Sequence, residues 1–204
     1  MLANTSKSKR AIAFIDASNL FYGGEKSLGW KIDYRKLAKY LKKKYKVREI
    51  LYFGGVEISD FPYDYLQNDT IPLNEFKEYL LNVSVYRQQL QRVKFYLKLK
   101  SFGYRLYLKP VKLYRQVDGT IKKKANCDVE MAFHLMREKE NFDKAVILSG
   151  DGDFLPILKH LREAGKEVII LARGARTSKE VRQFAGSNFR DFVRLEKELR
   201  FQDK

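Results

Sequence analysis

Short, continuous apolar runs alternate along this chain with longer stretches in which apolar residues recur every three or four positions. The continuous runs predict β-strands, and they are typical of parallel strands that are buried on both faces. We expect strands at residues 11–15, 49–53, 104–108, 144–148, 167–171 and 191–195. Gly54 and Gly55 are expected to end the second strand.

The stretches of helical period predict helices between these strands. We expect them at residues 33–44, 73–101, 126–139, 154–164 and 178–185. The helix at 126–139 is apolar around much of its circumference, which predicts that it is largely buried. The alternation of strands and helices predicts an α/β fold with a mainly parallel, doubly wound sheet.

Departures from this alternation suggest the domain organisation. Asp118-Gly119 predicts a hairpin between residues 111–115 and 120–124. We expect one domain over residues 11–196, in which residues 56–100 form an insertion or arm. Residues 1–10 are expected to be a disordered basic lead-in, and residues 197–204 a tail.

Composition narrows the class of partner. The chain carries 41 Lys and Arg against 25 Asp and Glu, a formal net charge of +16. This excess favours a nucleic acid or another polyanion as partner, although a basic surface could also serve solubility alone. The single cysteine, Cys127, fits a reducing compartment and a cytoplasmic location. No apolar run reaches the ~20 residues of a membrane span.

Four aspartates lie at boundaries of the predicted elements. They are Asp16, Asp128, Asp151 and Asp153. Because ligand sites of open α/β sheets form beyond the carboxyl ends of the strands, we expect these side chains to converge. Carboxylate oxygens suit Mg²⁺ or Mn²⁺, and such ions polarise phosphoryl oxygens. The pattern therefore predicts a metal site that acts on a polyanion.

The same aspartates also have structural alternatives. Asp153 could cap the helix that begins at Phe154, a frequent role for aspartate. Asp151 could serve the turn between Gly150 and Gly152. Asp128 could favour the start of a helix through the macrodipole.

Three neighbouring polar residues could support the acids. Ser18, Asn19 and Ser149 are candidates to orient the carboxylates or a water molecule, and plain turn capping is the alternative for each. His134 lies within an apolar helical pattern and is expected to pack rather than to act as a base.

Three motifs, in this order, resemble the NYN domain family, which is related to PIN-type nucleases. The motifs are FIDASNL at 14–20, KANCDVEM at 124–131 and LSGDGDF at 148–154, and the match is most similar to the LabA-like branch. The resemblance implies a PIN-like α/β/α sandwich and metal-dependent phosphodiester hydrolysis, usually of RNA. It also implies Asp16, Asp128, Asp151 and Asp153 as the catalytic and metal-binding acids.

Basic residues near the same edge are candidates to bind nucleic acid. Lys and Arg contact phosphates without regard to sequence, and the candidates are Lys122, Lys123, Lys124, Arg173 and Arg176. A homodimer is an open alternative in which a second chain completes a basic groove.

Two functions from different classes remain open on the sequence. One is a Mg²⁺- or Mn²⁺-dependent ribonuclease. The other is a non-catalytic RNA-binding or regulatory module of the same fold. A small-molecule phosphatase is disfavoured, because residue 18 is Ser and the first strand is not followed by Asp-x-Asp.

Overall fold

A six-stranded, entirely parallel sheet forms the centre of the protein. The computed structural model describes residues 10–58, 60–82, 87–116 and 118–202, and the side chains at 23–24 and 121–124 lie outside this description. The sheet has the strand order β3-β2-β1-β6-β7-β8. Its strands are β1 Ala11–Asp16, β2 Val47–Val56, β3 Tyr104–Pro110, β6 Lys144–Leu148, β7 Glu167–Ala172 and β8 Phe189–Asp191.

Alternate residues of β1 face the two apolar layers on either side of the sheet. Ala11, Ala13 and Ile15 belong to one buried cluster, and Ile12 and Phe14 belong to the other. This period of two is what a strand buried on both faces requires. The predicted α/β/α sandwich with a parallel central sheet is therefore confirmed.

Helices cover both faces of the sheet. They are α1 Lys26–Leu28, α2 Tyr34–Tyr45, α3 Leu73–Leu81, α4 Arg87–Ser101, α5 Asp128–Arg137, α6 Leu155–Glu163, α7 Lys179–Ala185 and α8 Glu196–Leu199. Apolar side chains of α2, α3, α4 and α8 join the larger core cluster, and those of α5, α6 and α7 join the other. Within the described ranges, no helix is both long and apolar enough to cross a membrane.

Two predicted elements differ from the structure. The single helix expected at 73–101 is two helices, α3 and α4, and residues 83–86 between them lie outside the described part. The strand expected at 191–195 is instead β8 at Phe189–Asp191. It ends there because the Asp191 carboxylate accepts from Val193 N and caps a 3₁₀ turn.

The expectation that the helix at 126–139 is buried around most of its circumference was wrong. Met131 and Leu135 of α5 pack against the sheet, whereas Val129 is 78% exposed and Phe133 is 58% exposed. Only the side of a helix that contacts the rest of the fold leaves water, and in the described part of the structure α5 packs mainly on β1 and on short neighbouring 3₁₀ turns.

The expectation that Gly54 and Gly55 end the second strand was also wrong. Both residues lie within β2, which continues to Val56 and pairs with β3 along this stretch. A Cβ on Gly55 would overlap the Cβ of Ala125. The glycine thus allows the chain before α5 to cross close over the sheet, and this crossing places Asp128 at the edge of the sheet.

The predicted hairpin is confirmed as β4 Lys112–Arg115 paired antiparallel with β5 Ile121–Lys124. The segment 56–100 packs into the larger core through Phe76, Val93 and Tyr96 rather than projecting from the fold. At the chain ends, residues 1–9 of the expected lead-in lie outside the described residues, whereas Arg10 N donates to Asp143 Oδ2. Leu199, within the expected tail, is fully buried.

Candidate active site

The four candidate aspartates lie around the carboxyl edge of the sheet. Asp16 is the last residue of β1, and Asp151 and Asp153 follow β6, its direct neighbour in the sheet. Asp128 is the first residue of α5, on the segment that crosses Gly55. Adjacent parallel strands end at the same edge, and this topology explains why acids so distant in sequence meet.

Three of the acids form a compact group. Asp128, Asp151 and Asp153 each offer a carboxylate oxygen, and these oxygens all lie within 4.8 Å of one another. Asp128 and Asp151 are half-buried and Asp153 is exposed. Like charges at this separation repel, so the group is stabilised by a proton or a bound cation.

Asp16 lies deeper, beside this group, and is 8% exposed. Its Oδ1 accepts hydrogen bonds from Ser18 N at 2.9 Å and Asn19 N at 3.1 Å, at the first turn after β1. Burial, opposed by these hydrogen bonds and reinforced by the charge of Asp128, raises the pKa of Asp16 to about 6. The carboxylate is therefore held in a setting that favours a proton or a cation.

Asp128 is organised by a short local contact. Its backbone N–H donates to Asn126 Oδ1 at 2.8 Å. Burial raises the pKa of Asp128, and the nearby charges of Asp151, Asp153 and Glu130 act in the same direction. The repulsion between the carboxylates therefore raises the pKa of Asp128 as well as that of the neighbouring Asp16.

Hydrogen bonds join the two loops that carry the acids. The Ser149 hydroxyl donates to Asp16 Oδ2 at 3.2 Å and accepts from Asp151 N at 3.2 Å. Asn19 Oδ1 accepts from Gly150 N at 3.1 Å. Ser149 and Asn19 contribute side-chain atoms to this link. Ser18 instead donates to Asp16 through its own backbone N–H.

Close packing fixes the loop after β6. A Cβ on Gly150 would lie 2.5 Å from Thr177 Oγ1, so only glycine fits against the buried Thr177. The capping role falls on Asp151 rather than Asp153, because Asp151 Oδ1 accepts from Asp153 N at 3.0 Å. Asp153 is left exposed, with its carboxylate in the acidic group.

The donor set fits a hard divalent cation. Three carboxylates converge, a fourth lies beside them, and hard cations such as Mg²⁺ and Mn²⁺ take oxygen ligands of this kind. His134, in contrast, packs against Tyr107 and Phe53, and burial lowers its pKa to about 4. Cys127 is buried, which raises the pKa of its thiol to about 12.

A cleft of about 1600 Å³ is lined by three of the acids. Asp16, Asp128, Asp151 and Arg176 line it together with residues of α4. Phe21 and Tyr22, in the π-helical turn after β1, also face this space. Three of the candidate acids therefore face the same open cleft as α4 and the turn after β1.

The candidate basic residues fall into three groups. Arg176 is exposed and lines the cleft. Arg173 is instead held by Asp191, with its Nη1 3.2 Å from Asp191 Oδ2, so its guanidinium already has a structural partner. The side chains of Lys122, Lys123 and Lys124 lie outside the described part of the structure.

Several residues of the site were not predicted from the sequence. Asn126 two positions before Asp128 is a local signal that could have been recognised, since Asn side chains often bond backbone two residues on. Gly55 carries no such signal, because its role depends on which segments meet in three dimensions.

Comparison with known proteins identifies the family of this chain. The model of the NYN domain matches residues 10–196. Low amplitude and bright protein LabA of Synechococcus elongatus is 22% identical over 178 residues, which cover 86% of this chain and 80% of LabA.

Two solved structures are also similar. A protein of unknown function from Vibrio parahaemolyticus aligns with a TM-score of 0.59 and 18% identity, over 89% of this chain and 91% of its own. The flap endonuclease of bacteriophage T5, solved with DNA and metal ions, aligns with a TM-score of 0.45 and 15% identity, over 87% of this chain and 60% of its own. Because the model of the NYN domain matches most of the length of this chain, the chain belongs to the NYN domain family.

Proposed function

We propose that this protein is a nuclease that hydrolyses phosphodiester bonds with the help of Mg²⁺ or Mn²⁺, with RNA as the favoured substrate. The observation that carries the proposal is the group of three carboxylates within 4.8 Å, beside the buried Asp16, at an open cleft. Membership of the NYN family and this group together support a nuclease-type function.

In this proposal the four aspartates hold the cation. Asp128, Asp151 and Asp153 supply ligand oxygens, and Asp16 adds negative charge from the floor of the site. A bound divalent ion would polarise a phosphoryl oxygen and lower the pKa of a water nucleophile. Ser149 and Asn19 keep the two acid-bearing loops at a fixed separation, and Arg176 offers its charge to a phosphate of the substrate.

The electrostatics of the site support a cation rather than a purely structural cluster. At neutral pH a carboxylate with a pKa near 6 is mostly ionised, so Asp16 places a buried negative charge beside the group, and the pKa of Asp128 is raised in the same direction. A cation removes the repulsion and stabilises the ionised forms. Structural hydrogen bonds to backbone N–H groups account for Asp16 and Asp151 but not for Asp153, which is left exposed within the group.

The test is cleavage of a labelled single-stranded RNA with Mg²⁺ or Mn²⁺, against EDTA. We expect cleavage only with metal, and we expect Asp151→Asn to abolish it. Asp69→Asn serves as the matched control, because Asp69 is an exposed acid that does not line the cleft. The same sequence as single-stranded DNA tests the preference for RNA.

A non-catalytic binding module gives a different result. Such a protein would bind the RNA in a salt-sensitive manner without cutting it, and Asp151→Asn would not reduce binding. That outcome would overturn the nuclease proposal. The cytoplasmic location and the homodimer stay predictions, which fractionation of the source cells and sedimentation of the purified protein would check.

A further inference from the structure

The residues that line the cleft are much less positively charged than the chain as a whole. Although the chain has a net charge of +16, six acidic and five basic residues line the cleft in the described part of the structure. After two positive charges from a divalent ion, the groove is close to neutral. Phosphate attraction alone therefore gives this groove little affinity along its length.

Amide and planar side chains occupy the α4 wall instead. Gln88, Gln91, Arg92 and Phe95 follow the spacing of one helical face, and Gln89 also lines the cleft. Gln88, Gln91 and Arg92 are exposed, so their polar groups are available to a ligand. The Arg92 guanidinium lies 5.8 Å from the ring centroid of the buried Tyr96.

Aromatic rings face the same space from the turn after β1. Tyr22 is 65% exposed, and its ring lies 5.1 Å from that of Phe21 in an edge-on arrangement. Exposed tyrosine rings and guanidinium planes stack on unpaired bases, and glutamine amides bond to base edges. A duplex keeps its bases stacked and paired, so it cannot use such a wall.

We propose that the α4 wall of the cleft, formed by Gln88, Gln89, Gln91, Arg92 and Phe95, acts together with Tyr22 to bind the bases of an unpaired strand that leads to the acids. The inference rests on the proposed function, since it takes nucleic acid as the ligand. It adds that the protein selects its substrate by contacts with the bases of a single strand rather than with the phosphates.

The experiment measures binding in EDTA, where no cleavage competes. Fluorescence anisotropy compares a labelled single-stranded RNA, the same strand without bases, and the same strand in a duplex, at one salt concentration. We expect the single strand with bases to bind at least about tenfold more tightly than either of the others, the scale of one base stacked on an aromatic ring. Equal affinity for the strand with and without bases would overturn the proposal.

Variants of the wall separate base contacts from charge. We expect Gln88→Ala combined with Gln91→Ala to weaken binding of the strand with bases and to leave binding of the abasic strand unchanged. Arg92→Lys keeps the charge and removes the planar face, so it should weaken binding of the strand with bases in the same selective way. Gln183→Ala on α7 is the matched control, since this exposed glutamine is not part of the cleft.

The two proposals fail in distinguishable ways. Selective binding of bases without metal-dependent cleavage would overturn the nuclease and leave the base-binding wall in place. Metal-dependent cleavage with affinity that is indifferent to bases, and unaffected by the wall variants, would overturn the wall and leave the nuclease. Preference for the duplex would also overturn the wall.

Discussion

The hydroxyl of Ser149 donates a hydrogen bond of 3.2 Å to Oδ2 of Asp16, and so joins the ends of two neighbouring strands through their side chains. Because the same hydroxyl oxygen accepts from Asp151 N, a displacement of either loop is transmitted to the other. The acids of the site are in this way positioned relative to one another before any ligand binds.

Removal of this hydroxyl should slow cleavage and change its pH dependence. The Ser149 hydrogen bond lowers the pKa of Asp16, so Ser149→Ala should raise that pKa further above about 6. We expect a loss of about tenfold in rate, within the range for outer partners of a metal site, and an acidic limb shifted to higher pH. The pH–rate profile measures both. Ser187→Ala is the control, and an unmoved acidic limb would contradict the prediction.

Asp16 should destabilise the metal-free protein at neutral pH. Since its pKa is raised from 3.8 to about 6, the folded state binds the proton more tightly than the unfolded chain. The stabilisation from protonation is present below pH 3.8 and is lost as the pH rises through about 6, for a total of about 3 kcal/mol.

We therefore expect Asp16→Asn to be more stable than the wild type at pH 7 in EDTA, by up to about 3 kcal/mol. The difference should disappear below pH 4. Urea denaturation at the two pH values measures it, with the exposed Glu163→Gln as control. A variant less stable than wild type at pH 7 would contradict this view of the site.

Mn²⁺ or Mg²⁺ should raise the melting temperature of the wild type. A ligand present at about 100 times its dissociation constant stabilises the native state by about 2.7 kcal/mol. Asp128→Asn and Asp151→Asn should each remove most of this effect, because the carboxylates of these residues converge. Below pH 6 the effect should weaken as protons compete for Asp16. Thermal unfolding with Asp69→Asn as control checks this, and an equal shift in all variants would refute it.

The close approach of Ala125 to Gly55 should be required for both stability and metal binding. Gly55→Ala would force the two backbones apart, which typically destabilises a close-packed site by about 1–3 kcal/mol, and would displace Asp128. The double variant Gly55→Ala with Ala125→Gly restores the space and should recover both stability and metal binding. Purely additive losses in this double-mutant cycle would show that the contact is unimportant.

Arg173 and Arg176 should differ although they are three residues apart. Arg173 is paired with Asp191, so Arg173→Ala should lower the melting temperature. Arg176 is exposed in the cleft, so Arg176→Ala should weaken RNA binding and reduce its salt dependence with little effect on stability. Unfolding and binding measured on both variants test the contrast. Loss of binding without loss of stability in Arg173→Ala would contradict it.

The elements with strong local patterns could be predicted from the sequence. The buried strands that end at Asp16 and Leu148 are continuous apolar runs, and their shared edge follows from the topology of parallel sheets. The order of the motifs also sufficed to indicate the family. That topology brings Asp16, Asp151 and Asp153 to one edge of the sheet, whereas Asp128 reaches them through the crossing over Gly55.

What could not be predicted depends on contacts between distant segments. Gly54-Gly55 is a common signal for a turn, and only the approach of Ala125 explains why these glycines lie inside a strand. The pattern of α5 shows many apolar residues but not which face meets the sheet, so Val129 and Phe133 were wrongly expected to be buried. The partner of Arg173 was equally invisible in the sequence.

The C-terminal segment has a practical consequence for how the protein is handled. Leu199 O accepts from Asp33 N at 2.7 Å, Phe201 N donates to Lys31 O at 2.8 Å, and Phe201 lines the cleft. Arg10, in contrast, precedes β1 at the edge of the sheet opposite the acids. A fluorescent label attached at Gln202 would therefore lie beside the cleft and obstruct it. A label attached at Arg10 would lie at the opposite edge of the sheet and leave the cleft open.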